Sequence, residues 1–243
     1  MPLLQRFKGR LPNLRILRLL YYVTVPPPRI DVFETAPALR QVAILAGSQQ
    51  DSRVLLPWSQ ITHFKDERVG RVGRLVLHSS STLCSLTNLD IYRGRHSNHV
   101  DESPYRPTTL PNLRTLRVVI YECDYKDVDH FLESLTIPAV EVIKIRYMGP
   151  LIPHLVSMFS GSRGTSRLQK LAFRTTRLQT GESSALLKLT PHLVELDIDV
   201  PPVGDLLRLI YSEGEVMLVP MLQTLYMHIP ALTTAQIDCA SPL

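Results

Sequence analysis

Apolar side chains recur along this chain in one spacing: a first, a second three positions on, and a third two positions after that. Leu14/Leu17/Leu19, Leu39/Val42/Ile44, Leu86/Leu89/Ile91 and Leu113/Leu116/Val118 carry it. It continues through Val140/Ile143/Ile145, Leu168/Leu171/Phe173, Leu193/Leu196/Ile198 and Leu222/Leu225/Met227. A degraded unit, ITHFKDE, keeps Ile61 and Phe64 but has Asp66 in the third place. The nine first positions stand 22 to 29 residues apart, and LPNLRTLRVV at Leu110–Val119 nearly copies LPNLRILRLL at Leu11–Leu20. An L-x-x-L-x-L pattern at that period is the signature of stacked leucine-rich repeats.

The pattern predicts the elements. Successive side chains of a strand point to opposite faces, so the second and third apolar residues share one face and their neighbours the other. Stacked units then pair these strands into a parallel sheet over a continuous apolar spine. Pro12, Pro37, Pro111, Pro138, Pro191 and Pro220 stand two residues before the first apolar position. Proline lacks an N–H and disfavours helix in the residue before it, so each is expected to stop a helix and start the extended segment. Return helices are predicted where Val128/Phe131/Leu132/Leu135, Ile152/Leu155/Val156/Phe159 and Val203/Leu206/Leu207/Ile210 follow an i, i+3, i+4, i+7 spacing. Asp127 is placed to cap the first of them. Val72, Leu75 and Val76 suggest a further helical face, and Arg93–Pro111 reads as a long polar loop. The fold expected is α/β, a leucine-rich-repeat solenoid of nine irregular repeats, with a curved parallel sheet on its concave face and short helices and loops on its convex face. One domain covers 1–243, with repeats over 11–228 and imperfect ends at 1–10 and 229–243.

Composition adds limits. An apolar content of 44% suits a core-forming globular chain. No unbroken apolar stretch is long enough to span a bilayer, so no membrane partner is expected. The first residues, MPLLQRFKGRLPNL, lack the apolar core of a secretory signal. Cys84, Cys123 and Cys239 are odd in number and scattered, which points to reduced thiols and an intracellular setting, cytoplasmic or nuclear.

The net charge of +5 is modest and informative only once located. Within each unit the third, fifth and seventh positions point to the concave face. Arg117, Lys144, Arg146, Lys170 and Arg174 there form a basic stripe on units five to seven. Unit eight sets Glu195, Asp197 and Asp199 beside it, and Tyr226 follows on unit nine. One account is that parallel strands simply need soluble outward side chains. The other is a partner-binding surface for a protein segment with complementary acidic and basic blocks. Nucleic acid fits poorly, because the stripe lacks a regular aromatic platform and the adjacent carboxylates repel phosphate.

Catalytic chemistry is not expected. His96 and His99, with Asp101 and Glu102 nearby, lack a second ligand pair at zinc-finger spacing. GRVGR at Gly70–Arg74 lacks the third glycine of a dinucleotide fingerprint. Asp124, Asp127, Asp129 and Glu133 lead into a helix rather than a cleft, so capping and solvation account for them. Cys123 has no strongly basic neighbourhood to activate it. No catalytic, cofactor-binding or metal residue is therefore assigned.

The segments LPNLRILRLL, FETAPALRQVAI, LLPWSQITHF, LPNLRTLRVV, FLESLTIPAVEVIKI and LVPMLQTLYMHI together resemble the repeat region of F-box/leucine-rich-repeat proteins of mushroom-forming fungi. The resemblance covers nearly the whole chain. It implies a non-enzymatic protein-interaction module, the substrate-recognition region of an F-box-type subunit of a cullin-RING ubiquitin ligase. In that family an N-terminal F-box docks on the ligase adaptor, whereas ten residues precede the first repeat here. The expectation is a fragment or truncated product, with the adaptor a partner only if an F-box precedes this chain. A free-standing repeat protein that binds or sequesters a partner, without a ligase role, is the alternative expectation.

Overall fold

The computed structural model describes residues 5–21, 29–46, 54–68, 83–93, 106–120, 125–147, 149–162, 167–175, 178–210 and 218–229. Eight of the nine apolar triplets begin with the same local event. The first apolar residue donates its N–H to the carbonyl three residues earlier: Leu14 to Leu11, Leu39 to Ala36, Leu113 to Leu110, Leu193 to Thr190 and Leu222 to Val219, at 3.1 to 3.3 Å. This is a β-turn, and the six prolines occupy its second position, where a φ locked near −65° is what the turn requires. The prolines are thus turn formers, and Pro191 also follows a helix, Glu182–Lys188, as expected of a helix stop. Pro111 and Pro138 instead follow two-residue strands, Thr108–Thr109 and Leu135–Thr136, which pair with each other, so the end of the stretch expected to be loop up to Pro111 is extended and paired.

After each turn the chain extends. The strands are β1 (Ile16–Tyr21), β2 (Gln41–Ala46), β3 (His63–Arg68), β4 (Asn88–Arg93) and β5 (Thr115–Ile120). They continue as β6 (Val142–Arg146), β7 (Lys170–Arg174), β8 (Glu195–Asp199) and β9 (Thr224–His228). All nine form one parallel sheet in which every strand neighbours the next in chain order. A second contact recurs at each junction. The carbonyl after the first apolar residue accepts two N–H groups from the following unit: Arg15 O from Arg40 and Gln41, Arg114 O from Glu141 and Val142, Val194 O from Gln223 and Thr224. All eight junctions carry it, at 2.8 to 3.1 Å, so stacking is a single backbone operation repeated. The degenerate third unit obeys it too. Asp66 is buried on the core side of β3, in register with Ile44 and Ile91, so the strand survives the loss of an apolar residue.

The core lies on one side of the sheet. Leu89, Leu116, Ile143, Leu171 and Leu196 are fully buried in one continuous apolar cluster with the residues that start the units. Helices cover that side: α1 (Tyr125–Ser134), α2 (Ile152–Gly161), α3 (Glu182–Lys188) and α4 (Val203–Ile210). Phe131, Leu132, Leu155 and Phe159 join the same cluster, as their spacing requires. Asp127 lies within the first turn of α1 rather than ahead of it, and Leu135, expected on that helix, is buried in the strand that follows. Helix α3 was not expected, because its inner face begins with Ser183 and Ser184 before Leu186 and Leu187, and two serines hide the apolar period. His154 on α2 sits 3.0 Å from Asp129 and 2.8 Å from Glu133 on α1, while the Tyr147 hydroxyl donates to Asp129 at 3.0 Å. Burial raises the Asp129 carboxyl above its ordinary range, opposed by His154 and Tyr147.

The two ends of the array differ. Gln5 and Lys8 both donate to Asp31, laying the first turn of chain over unit one, where Leu17 is buried. At the far end Leu225 and Met227 point to the core side yet remain 40% and 45% exposed. On α4, Val203 and Leu207 are exposed, so its apolar face is not packed as expected. The proposed helical face at Val72–Val76 and most of the 93–111 loop lie outside the described residues. So do His96, His99, Asp101, Glu102, Cys123 and Asp124.

Two outcomes follow from this packing. Leu116→Ala will lower unfolding free energy by about 2–5 kcal/mol in urea denaturation, while Arg117→Ala beside it will change it by no more than about 0.5 kcal/mol; equal effects would refute the assignment of faces. The Asp31 carboxyl, lowered by the Lys8 and Gln5 hydrogen bonds, will titrate near about 2 rather than 3.8 by NMR. The Lys8–Asp31 contact is therefore complete above pH 3.8 and lost as pH falls through about 2, and Lys8→Ala will return the midpoint toward 3.8.

Candidate functional site

The face of the sheet opposite the core carries the third, fifth and seventh residue of each unit, and none of them belongs to the core cluster. All nine residues expected to bind a partner lie on this face, on β5 to β9. Arg117 stands beside Lys144, Arg146 beside Arg174, Lys170 beside Glu195, and Asp197 beside Tyr226. The strand register thus assembles them as anticipated, but the electrostatics divide them.

The acidic strand β8 is paired internally. Lys170 forms an ion pair with Glu195. Arg174 reaches Asp197 at 3.1 Å and Asp199 at 3.3 Å, and His228 reaches Asp197 at 3.0 Å. The backbone N–H of Thr175 donates to the other Asp199 oxygen at 3.0 Å. Asp197 Oδ1 lies close to both Arg174 and His228 without a well-aligned N–H, so neither contact is a hydrogen bond. The basic stripe therefore ends at β6. Lys170 and Arg174 are occupied with Glu195, Asp197 and Asp199, and what faces outward beyond them is a near-neutral network.

The middle of the face is different. Lys65, Asp90, Arg117 and Lys144 stand in one row across β3 to β6. Asp90 is the single carboxylate of that row, and burial raises its carboxyl above the ordinary range while Arg117, Lys65, His63 and Lys144 pull it down. The Tyr92 ring takes the Lys65 ammonium at 4.7 Å and the Arg117 guanidinium at 5.2 Å from its centroid. Each is a cation–π contact that holds a long side chain over the sheet. Burial also raises the Tyr92 hydroxyl.

Toward β1 the face becomes a groove. A cavity of about 600 Å³ lies over β1 to β4, lined among others by Ile16, Leu20, Leu45, His63 and Asp90. Ile16 and Leu20 are 53% and 65% exposed, large values for aliphatic side chains on a sheet. Leu20 and Leu45 are in register on adjacent strands, so they form one apolar patch. Sequence reasoning passed over this end because charge drew attention to β5–β8. The same alternation that located Arg117 also places Ile16, Leu20 and Leu45 on the open face, and that was the available signal.

Among the described residues no three His, Cys, Asp or Glu side chains converge as a metal site, and no helix is long and apolar enough to cross a membrane. Comparison with protein-family models, curated proteins and solved structures returns no match to this chain.

The division of the face is measurable. Arg174→Ala will cost about 1 kcal/mol by leaving Asp197 and Asp199 adjacent and unneutralised, whereas Lys144→Ala will cost less than about 0.5 kcal/mol. An Arg174/Asp197 double-mutant cycle in urea will return a favourable coupling of about 0.5–1 kcal/mol, and a zero coupling would mean that the pair has no energetic consequence.

Proposed function

We propose that this chain is a leucine-rich-repeat solenoid acting as a non-enzymatic, intracellular protein-interaction module, with the open face of its sheet as the docking surface. The observation that carries the reading is the contrast between the two sides. Among the described residues, one side carries a continuous apolar core with helices over its second half, and the other side bears no helix, with a groove at one end and cations in the middle. Rigid parallel strands hold such side chains at a spacing of about 4.8 Å, which supplies a preformed surface at little ordering cost.

The resemblance to F-box/leucine-rich-repeat proteins supports a more specific role, substrate recognition for a cullin-RING ubiquitin ligase. The repeating turn and the eightfold backbone junction support the repeat class, since both fall at the same places in the L-x-x-L-x-L unit. The second reading, a free-standing binding protein, is favoured by the internal pairing of β8, which gives the array a finished electrostatic surface of its own. Co-purification of the protein translated from the full transcript with a cullin adaptor separates them: recovery of the adaptor supports the ligase role, and its absence supports the free-standing module.

The docking surface itself has a direct test. A photo-reactive residue at Thr115, on the open face, will cross-link a partner in cells. One at Ser157, exposed on the outer side of α2, will not. Adducts at position 157 alone would overturn the reading.

A further inference from the structure

We propose that the open face takes an extended acidic segment of a partner protein laid across β1 to β6, with an apolar side chain over Ile16 and Leu20 and carboxylates over Arg117 and Lys144. The inference rests on the docking reading above and deepens it by naming the chemistry of the partner.

Charge complementarity carries the argument. Arg117 and Lys144 are exposed on adjacent strands in direct register, about 4.8 Å apart along the sheet. Like charges so placed repel each other, and a carboxylate laid between them relieves that repulsion. Among the described residues no carboxylate lies between them. Asp90 stands on the far side of Arg117, half-buried between it and Lys65, and Glu67 pairs with Lys65. The carboxylates of β8 are taken up by Lys170, Arg174 and His228.

The same charges set the limits of the segment. Past β6 an acidic chain meets Lys170 and Arg174 already paired with Glu195, Asp197 and Asp199, so the attraction that holds it over Arg117 and Lys144 ends there. Toward β1 the cations thin out and the groove becomes aliphatic, where an apolar side chain removes the water-exposed surface of Ile16 and Leu20. Crossing from β1 to β6 spans five strand spacings, about 24 Å, which an extended chain covers in about seven residues. Nucleic acid is the poorer occupant of the same cations. Tyr92 is the single Phe, Tyr or Trp on the open face of β3 to β6, and its ring already carries Lys65 and Arg117, so bases find no stacking platform.

Selection of random peptides of about twelve residues, displayed on phage, against the full chain tests the proposal. Enriched peptides are expected to hold two or more Asp or Glu about six residues from a Leu, Ile or Phe. Arg117→Glu with Lys144→Glu will weaken the best of them by at least about tenfold, and Leu20→Ser by about threefold. Far-ultraviolet circular dichroism checks each variant, and Arg117→Gln with Lys144→Gln replaces the reversal if it fails to fold. Absence of enrichment, enrichment of basic or uncharged peptides, or affinity indifferent to both double variants would overturn the proposal. So would tighter binding of a single-stranded oligonucleotide, or self-association that the cation variants abolish. Ala43→Trp, which fills the groove without adding charge, separates the two levels. Uncharged peptides blocked by Ala43→Trp would sink the acidic segment and leave the docking surface standing; peptides insensitive to it would count against both.

Discussion

One backbone carbonyl per unit holds this molecule together. The group following the first apolar residue accepts two N–H donors from the next unit, and the chain repeats that contact at all eight junctions. A carbonyl has two lone pairs, and at each junction both are filled by N–H donors of the neighbouring unit. The β-turn just upstream aims the donors. It ends at the first apolar residue, so the following two N–H groups leave the turn pointing at the neighbouring unit. Everything else in the sheet depends on that alignment, because a slip of one residue would exchange the core row for the open row.

The junction explains why the sequence can vary so much elsewhere. Its donors and acceptors are backbone groups, indifferent to whether the residue is Arg15, Thr62, Glu141 or Val194. Side chains at those positions are left to other tasks, such as the Arg114–Glu141 pair at 3.2 Å that crosses one junction. Only the apolar rows are constrained, and even there Asp66 shows that one polar member is tolerated when both flanking units are intact. Stability is distributed along such an array through nearest-neighbour interfaces, which is also why its exposed end at Leu225 and Met227 differs from its interior.

Most of the architecture was legible because the period of the apolar triplet is itself the structural repeat. The strands, their order and the outward rows followed from it. What escaped were features whose signal is polar or conformational. Helix α3 presents Ser183 and Ser184 inward, and Gly181 enters it at a φ of 91°, so no apolar stripe announced it. The exclusion of proline from helices predicts where a helix stops, whereas the turn uses its fixed φ. At the site, alternation correctly placed Arg117, Lys144, Arg146, Lys170 and Arg174 on one face. It could not reveal that Arg174 bridges two aspartates while Arg117 lies against Tyr92, because those contacts depend on which strands are neighbours and on how far each side chain reaches. The aliphatic end of the groove was equally present in the pattern, and it lacked only a charge to draw the eye.

The central claim is that one face of the sheet is closed by the core and the other is open for docking. Hydroxyl-radical footprinting reads both halves of that claim in one experiment. In the free chain, Leu20 and Tyr226 are predicted to oxidise readily while Phe64 and Leu89 stay protected, and a bound partner is predicted to protect Leu20 without changing Leu207 on α4. Oxidation of Phe64 and Leu89 at the rate of Leu20, or partner protection confined to Leu207, would contradict it.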